Sequence, residues 1–167
     1  LSNDADQFTS VRWKPEGEIT RMTNPITTEH TILRQNIVPG LLRLLAANRH
    51  HDLPQGVYEL GTVVINHANR ERFAFLVAEN SGGFAALRGR IQALMRDLGC
   101  EDWSLQENES GPWLKGRSAN IIVNGKVIGE CGEIDPLVSL EFDLSVPMSG
   151  AQIDVEALAT VVKDPVH

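Results

Sequence analysis

Residues 119–131 read Ala-Asn-Ile-Ile-Val-Asn-Gly-Lys-Val-Ile-Gly-Glu-Cys, and this stretch indicates the class of the fold. Two runs rich in β-branched residues, 119–123 and 127–131, lie on either side of Asn124-Gly125. Both turn residues tolerate the positive φ that a two-residue type I′ turn requires. The stretch therefore predicts a β-hairpin.

The segments around this hairpin predict further strands, because β-branched and aromatic residues recur there between turn residues. The predicted strands are residues 8–13 and 19–22 around a turn at 14–17, residues 57–65 and 72–78 around a turn at 66–69, and residues 150–155. The last of these alternates apolar and polar residues, which predicts a half-buried strand.

Helices are predicted between the hairpins from apolar spacing and from capping residues. They span residue 27 or 28 to about 35, Pro39 to about 48, residues 84–98 closed by Gly99, Pro136 to about 142 capped by Asp135, and a short helix from Glu156. Hairpins interleaved with separate helices predict an α+β fold, an antiparallel β-sheet flanked by helices.

Composition limits the number of domains and the kinds of partner. A chain of 167 residues predicts one domain over 1–167. Lysine and arginine number 15 against 22 acidic residues, a net charge of −7, which has the wrong sign for holding nucleic acid by phosphate neutralisation. The chain begins without Met, so we expect a fragment of a longer protein.

The cysteines and the apolar runs indicate the compartment. Cys100 and Cys131 belong to no Cys-x-x-Cys pair, which predicts two reduced, buried thiols and a cytoplasmic location. No apolar run approaches the roughly 20 residues that cross a bilayer. We therefore expect no membrane partner.

Known catalytic motifs are missing from the sequence. It contains no Gly-x-Ser-x-Gly elbow, no Gly-x-x-x-x-Gly-Lys loop and no His-x-x-x-His pair. The neighbouring His50 and His51 would point in different directions at a helix end, which disfavours a shared metal ion. We therefore predict no catalytic, cofactor-binding or metal-binding residues in this chain.

The helix predicted from Pro39 is unusually rich in leucine. Its leucines cover more than one helical face, and residues 30–51 contain no acidic residue. This pattern predicts that the helix lies in the core or against another chain. The candidates for a subunit interface are Leu41, Leu42, Arg43, Leu44 and Leu45.

An ion pair is predicted between this region and the strand that follows it. Arg34 precedes the leucine-rich helix, and Glu59 lies on the next predicted strand. If the two side chains meet, they would anchor the helix to the sheet, and an enclosed pair would be costly to break from one side.

Residues 24–42 read Asn-Pro-Ile-Thr-Thr-Glu-His-Thr-Ile-Leu-Arg-Gln-Asn-Ile-Val-Pro-Gly-Leu-Leu. This stretch resembles the phenylalanyl-tRNA synthetase beta subunit of the archaeal and eukaryotic type. The similarity continues through Asn48, residues 53–54, Val-Tyr-Glu-Leu-Gly at 57–61 and Gly-Glu-Ile-Asp-Pro at 132–136. It extends from about residue 8 to 155.

The resemblance implies a catalytic-like module from the carboxy-terminal part of that subunit, with the antiparallel sheet of class II synthetases but without their chemistry. Such a module would support the catalytic alpha subunit in an α2β2 heterotetramer. The whole enzyme uses ATP and magnesium to join phenylalanine to its tRNA, which this module would meet only indirectly. The family's magnesium-binding and editing regions would lie upstream.

The residues agree with an inactive module. Class II synthetases hold ATP phosphates with an arginine in their second motif and another in their third. The comparable segments here are residues 58–61, Tyr-Glu-Leu-Gly, and residues 150–156, Gly-Ala-Gln-Ile-Asp-Val-Glu. Neither contains arginine, and carboxylates would repel a triphosphate. We therefore expect no ATP site of the class II kind.

Two other functions remain open at this point. One is a free-standing enzyme that uses His50, Asp52 and Glu59 as acid–base groups. The other is an independent interaction domain of the same descent, with an RNA or a regulatory protein as its partner.

Overall fold

The structure, a computed structural model, describes residues 1–162, in which six strands and four α-helices follow a short π-helical turn at Ala5–Thr9. The strands are β1 Gln55–Ile65, β2 Ala68–Ala78, β3 Trp103–Glu107, β4 Trp113–Val123, β5 Lys126–Ile134 and β6 Met148–Asp154. The helices are α1 Val38–Ala47, α2 Gly83–Asp97, α3 Pro136–Glu141 and α4 Val155–Val161.

All six strands form one antiparallel sheet in the order β1-β2-β6-β5-β4-β3, so the predicted α+β class is confirmed. Two of the predicted hairpins are present. Asn124 and Gly125 have φ of 49° and 79°, and Asn66 and His67 have φ of 53° and 60°. The second turn therefore needs two residues, where the sequence predicted four.

Helices cover the sheet on both faces and divide the core into two clusters. On the first face, α1 packs against β2 and contributes Leu42 and Leu45, and Phe142 at the end of α3 belongs to the same cluster. On the second face, α2 contributes Leu87, Ile91 and Met95, and α4 packs beside it. The sequence predicted these four helices correctly, because each has a capping residue or one apolar face.

Strand β6 is central and is buried on both faces, so the prediction of a half-buried strand is wrong. It pairs with β2 on one side and with β5 on the other. Gln152, which indicated an exposed face, is only 8% exposed because the amino-terminal segment covers it. Burial of the polar face depends on a segment more than 100 residues away.

The hairpin predicted from residues 8–13 and 19–22 is absent, and so is the helix predicted to end near residue 35. Ala5–Thr9 is helical instead, and Ile32 forms isolated bridges with Ser2 and Arg21. Long-range contacts determine this segment, since Phe8, Val11 and Ile32 are all buried. Tertiary packing of this segment therefore outweighs its local strand and helix propensities.

Strand β3 was not predicted, and β4 begins six residues before the predicted start at residue 119. Ser104, Gln106 and Glu107 are exposed on β3, which gives this edge strand little apolar signal. In the described part of the chain, no helix has both the length and the apolar character needed to cross a bilayer.

Two strand glycines allow a matched test of packing. A Cβ at Gly150 would overlap the Phe75 carbonyl oxygen, whereas a Cβ at Gly56 would meet nothing within 4 Å. We expect Gly150→Ala to lower the free energy of unfolding by about 3 kcal/mol, because backbone must move. Gly56→Ala should change it by less than about 1 kcal/mol.

Urea denaturation of both variants measures the difference. If Gly150→Ala were as stable as Gly56→Ala, the close approach of β2 and β6 would be wrong.

Candidate functional site

Helix α1 is held at its start by a side chain from the central strand. Gln152 Oε1 accepts hydrogen bonds from the backbone N–H of Ile37 at 2.7 Å and of Val38 at 3.2 Å. Its Nε2 donates to Asn36 Oδ1 at 3.0 Å. Gln152 therefore satisfies helix donors that α1 leaves unpaired. Local spacing in the sequence does not reveal this role, because Gln152 lies more than 100 residues from α1.

The leucines of α1 divide between core and surface. Leu41, Leu42 and Leu45 are at most 2% exposed and pack inside this chain, whereas Leu44 is 45% exposed. Of the five interface candidates, only Leu44 and Arg43 therefore retain accessible surface. The leucine content of α1 is explained largely by this chain's own core.

Arg43 of α1 contacts two other parts of the chain. Its Nε and Nη2 donate to Asp6 at 2.9 and 2.7 Å, and its guanidinium carbon lies 4.7 Å from the centroid of the Phe142 ring. The hydrogen bond with Asp6 raises the pKa of Arg43, so the charge persists. Arg43 thus joins the amino-terminal segment to α1 and to the end of α3.

The structure brings Arg34 and Glu59 together. Arg34 Nη2 donates to Glu59 Oε2 at 2.5 Å, and Arg34 Nε donates to the Thr62 carbonyl at 3.0 Å. The two side chains are 27% and 37% exposed, so the pair is half-buried. It lies against Gly61, where a Cβ would come within 2.6 Å of Glu59 Oε2. Glycine leaves room for the pair.

A buried arginine lies on the first face of the sheet, beneath the amino-terminal segment. The Arg72 side chain is 7% exposed. Its Nη1 donates to the Gln35 carbonyl at 2.8 Å, and its Nη2 donates to both carboxylate oxygens of Glu16 at 2.9 Å. The sequence does not mark this residue as buried, because Arg72 begins a predicted strand, where an arginine is usually exposed.

Glu130 lies on the same face and accepts three hydrogen bonds. The donors are Trp13 Nε1 at 3.2 Å, Trp113 Nε1 at 3.0 Å and Asn108 Nδ2 at 2.9 Å. The two indole rings meet edge to face, with centroids 6.1 Å apart. Neutral donors therefore hold the carboxylate of Glu130.

Arg72 and Glu130 line a cavity of about 180 Å³ on this face. Glu16, which is bonded to Arg72, and Asp154, which is bonded to Arg70, also line it, so the lining residues comprise three carboxylates and one guanidinium. The electrostatic potential there favours a cation over an anion.

The candidate acid–base residues do not form one site. His50, His51 and Asp52 are exposed in the connection before β1, while Glu59 lies along that strand and is bonded to Arg34. Among residues 1–162 no three His, Cys, Asp or Glu side chains are grouped closely enough to hold a metal ion.

Both cysteines are buried, as the sequence predicted. Burial raises the pKa of the Cys131 thiol to about 12, and burial also raises the pKa of Cys100. Both thiols are therefore protonated at neutral pH, and neither is an activated nucleophile.

Replacing Gln152 tests its role at the start of α1. We expect Gln152→Met to lower the free energy of unfolding by about 2–3 kcal/mol, because the N–H groups of Ile37 and Val38 lose their acceptor while buried. Gln106→Met on the exposed edge of β3 is the matched control and should have little effect. Equal effects in thermal unfolding would contradict the capping role.

A double-mutant cycle tests the Arg34–Glu59 pair. We expect Arg34→Met and Glu59→Gln to show a coupling energy of about 1 kcal/mol, because the pair is half-buried. The exposed pair Arg21–Asp4 is the comparison, and its coupling should be smaller. A coupling near zero for Arg34 and Glu59, measured by urea denaturation, would remove the proposed anchor between helix and sheet.

Comparison with known proteins identifies the family. A family model described as the phenylalanyl tRNA synthetase beta chain CLM domain matches residues 2–155. The chain is 39% identical to the phenylalanine–tRNA ligase beta subunit of Archaeoglobus fulgidus over 159 residues, 94% of this chain and 29% of that protein. It is 35% identical to the beta subunit of Methanopyrus kandleri over 167 residues, 96% of this chain and 28% of that protein.

The chain thus spans less than a third of the length of these relatives. The resemblance noted at residues 24–42, 57–61 and 132–136 is confirmed, including its archaeal type. The match over residues 2–155 and the identities of these relatives lead to one conclusion: the chain belongs to the phenylalanyl-tRNA synthetase beta chain family.

Proposed function

We propose that this chain is a non-catalytic structural and assembly module of a cytoplasmic phenylalanine–tRNA ligase. In this proposal it supports the catalytic alpha subunit within an α2β2 heterotetramer. The alpha subunit uses ATP and magnesium to join phenylalanine to its tRNA, and tRNA reaches this module only through the whole enzyme. The names of the relatives, beta subunits of that ligase, support the proposal.

The non-catalytic part of the proposal rests on the hydrogen bonds that Arg72 already makes. Among residues 1–162 it is the one arginine that lines the cavity shared with Glu130, and its guanidinium is already bonded to Glu16 and to the Gln35 carbonyl. A phosphate group would have to displace a charged partner held by two hydrogen bonds of 2.9 Å. The arginine is therefore used for folding.

The size and the charge of the cavity beside Arg72 also argue against ATP binding there. A volume of about 180 Å³ is below the roughly 300 Å³ at which small-molecule sites begin. The carboxylates of Glu16, Glu130 and Asp154 also line it and would repel a triphosphate.

The topology supports a fold of the class II catalytic type. The β1–β2 hairpin contains residues 58–61, which resemble the second motif. The comparable third-motif segment, residues 150–156, is strand β6 running directly into α4, and β6 pairs with β2. The two segments are thus neighbours in one antiparallel sheet, as the proposed fold requires.

Nucleotide binding by the separate subunits tests the proposal. We expect the full-length beta subunit alone to bind no ATP in equilibrium dialysis, while the complex with the alpha subunit binds it. ATP bound by the beta subunit alone, and lost in Arg72→Met, would overturn the non-catalytic role.

Co-purification tests the assembly role. We expect the full-length beta subunit to recover the alpha subunit in a stable complex at equal stoichiometry. A beta subunit that is stable alone and recovers no alpha subunit would favour the independent interaction domain instead.

A further inference from the structure

Strand β1 is an edge of the sheet and exposes two large side chains on the second face. Tyr58 is 75% exposed and Leu60 is 63% exposed. In the register of the hairpin, Tyr58 lies opposite Phe75 and Leu60 lies opposite Phe73. The Tyr58–Phe73 and Phe73–Phe75 ring centroids are each 6.3 Å apart. We call these four side chains the β1 block.

The β1 block lies beside a covered core. On the same face, α4 packs against β2, β5 and β6, and α2 packs against β5 and β6. The exposures of Tyr58 and Leu60 show that neither helix extends over β1. The apolar layer that begins under the helices therefore continues uncovered to the edge of the sheet.

The backbone of β1 is also open along this edge. The Val64 N–H donates to the Arg34 carbonyl at 2.9 Å, and the Thr62 carbonyl accepts from the Arg34 side chain. Even-numbered residues of β1 therefore direct their backbone groups away from β2. Within residues 1–162, Gly56, Tyr58 and Leu60 have no hydrogen-bond partner for these outward groups.

An open edge of this kind is usually protected. Natural edge strands carry lysine, proline or a bulge that prevents another strand from pairing with them. Here the pairing of β1 with β2 is regular from Gln55 to Ile65, and the open part carries Tyr58 and Leu60. The edge backbone fits an extended segment, and the face beside it fits apolar side chains from the same segment.

Charge indicates the nature of the partner. Beyond Leu60, the Thr62 hydroxyl donates to Glu71, and Arg70 is bonded to both Asp154 and Glu156. Arg34 also lies there and is bonded to Glu59 and to the Thr62 carbonyl, so four carboxylates lie beside two guanidiniums. Residues 1–167 carry a net charge of −7, which opposes pairing with a second copy of these residues. A partner segment with apolar and basic residues is the better fit.

We infer that an extended segment of the alpha subunit pairs with the edge of β1 at residues 56–60 and covers the β1 block. The segment has apolar side chains at every second position, and these contact Tyr58 and Leu60. It also has a basic residue near Glu71. This inference rests on the proposed function, because it takes the alpha subunit as the partner.

Photo-crosslinking in the complex of full-length subunits tests the contact. Benzoylphenylalanine at position 60 should crosslink to the alpha subunit at a higher yield than the same residue at position 26, where Ile26 is fully exposed. Equal yields from the two positions, crosslinks only to a second beta subunit, or no crosslink to the alpha subunit would overturn the inference.

Paired substitutions measure the strength of the contact. We expect Tyr58→Lys with Leu60→Lys to weaken recovery of the alpha subunit at least tenfold, with thermal unfolding of the beta subunit unchanged, because both side chains are exposed. The matched control, Ile26→Lys with Val127→Lys, adds the same charge at exposed positions and should recover the alpha subunit normally.

The outcomes separate the two proposals. If the unsubstituted beta subunit fails to recover the alpha subunit, the proposed function fails. If it recovers the alpha subunit and the Tyr58→Lys, Leu60→Lys variant recovers it equally well, only the role of the β1 edge fails.

Discussion

The amide of Gln152 joins the three parts of the molecule on which the rest depends. From the central strand it accepts from the first turn of α1 and donates to Asn36. Asn36 in turn donates to the Gln7 carbonyl, and Gln7 Oε1 accepts from the backbone of Gln35 and Asn36. Because these groups are buried, each unpaired one would cost free energy, so the network specifies a single position for the amino-terminal segment.

That position has a chemical consequence on the first face of the sheet. The segment brings Glu16 to Arg72 and Trp13 to Glu130, so the charged groups of the face are paired before any ligand arrives. Arg72 on this face is therefore bonded to groups of this chain and is not free to bind a ligand.

Two groups of apolar residues, the leucines of α1 and the pair Tyr58 and Leu60, look alike in the sequence but differ in burial in the structure. The leucines of α1 and the pair Tyr58 and Leu60 both have too much apolar surface for solvent. Three of the α1 leucines are buried in this chain's own core, whereas Tyr58 and Leu60 stay exposed beside an open backbone edge. Composition gives the number of apolar residues. Only the arrangement of helices and strands determines which of these residues are buried inside the chain.

The sequence alone determined the features that short-range physics controls. The turn at Asn124-Gly125, the Asp135 cap and the apolar face of α2 each depend on residues a few positions apart, so two hairpins, four helices and the α+β class were predictable. The tertiary structure decided the path of residues 1–36, the double burial of β6 and the partners of Arg72. Those features depend on side chains that meet across distances of up to 123 residues in the chain, where local propensity carries no information.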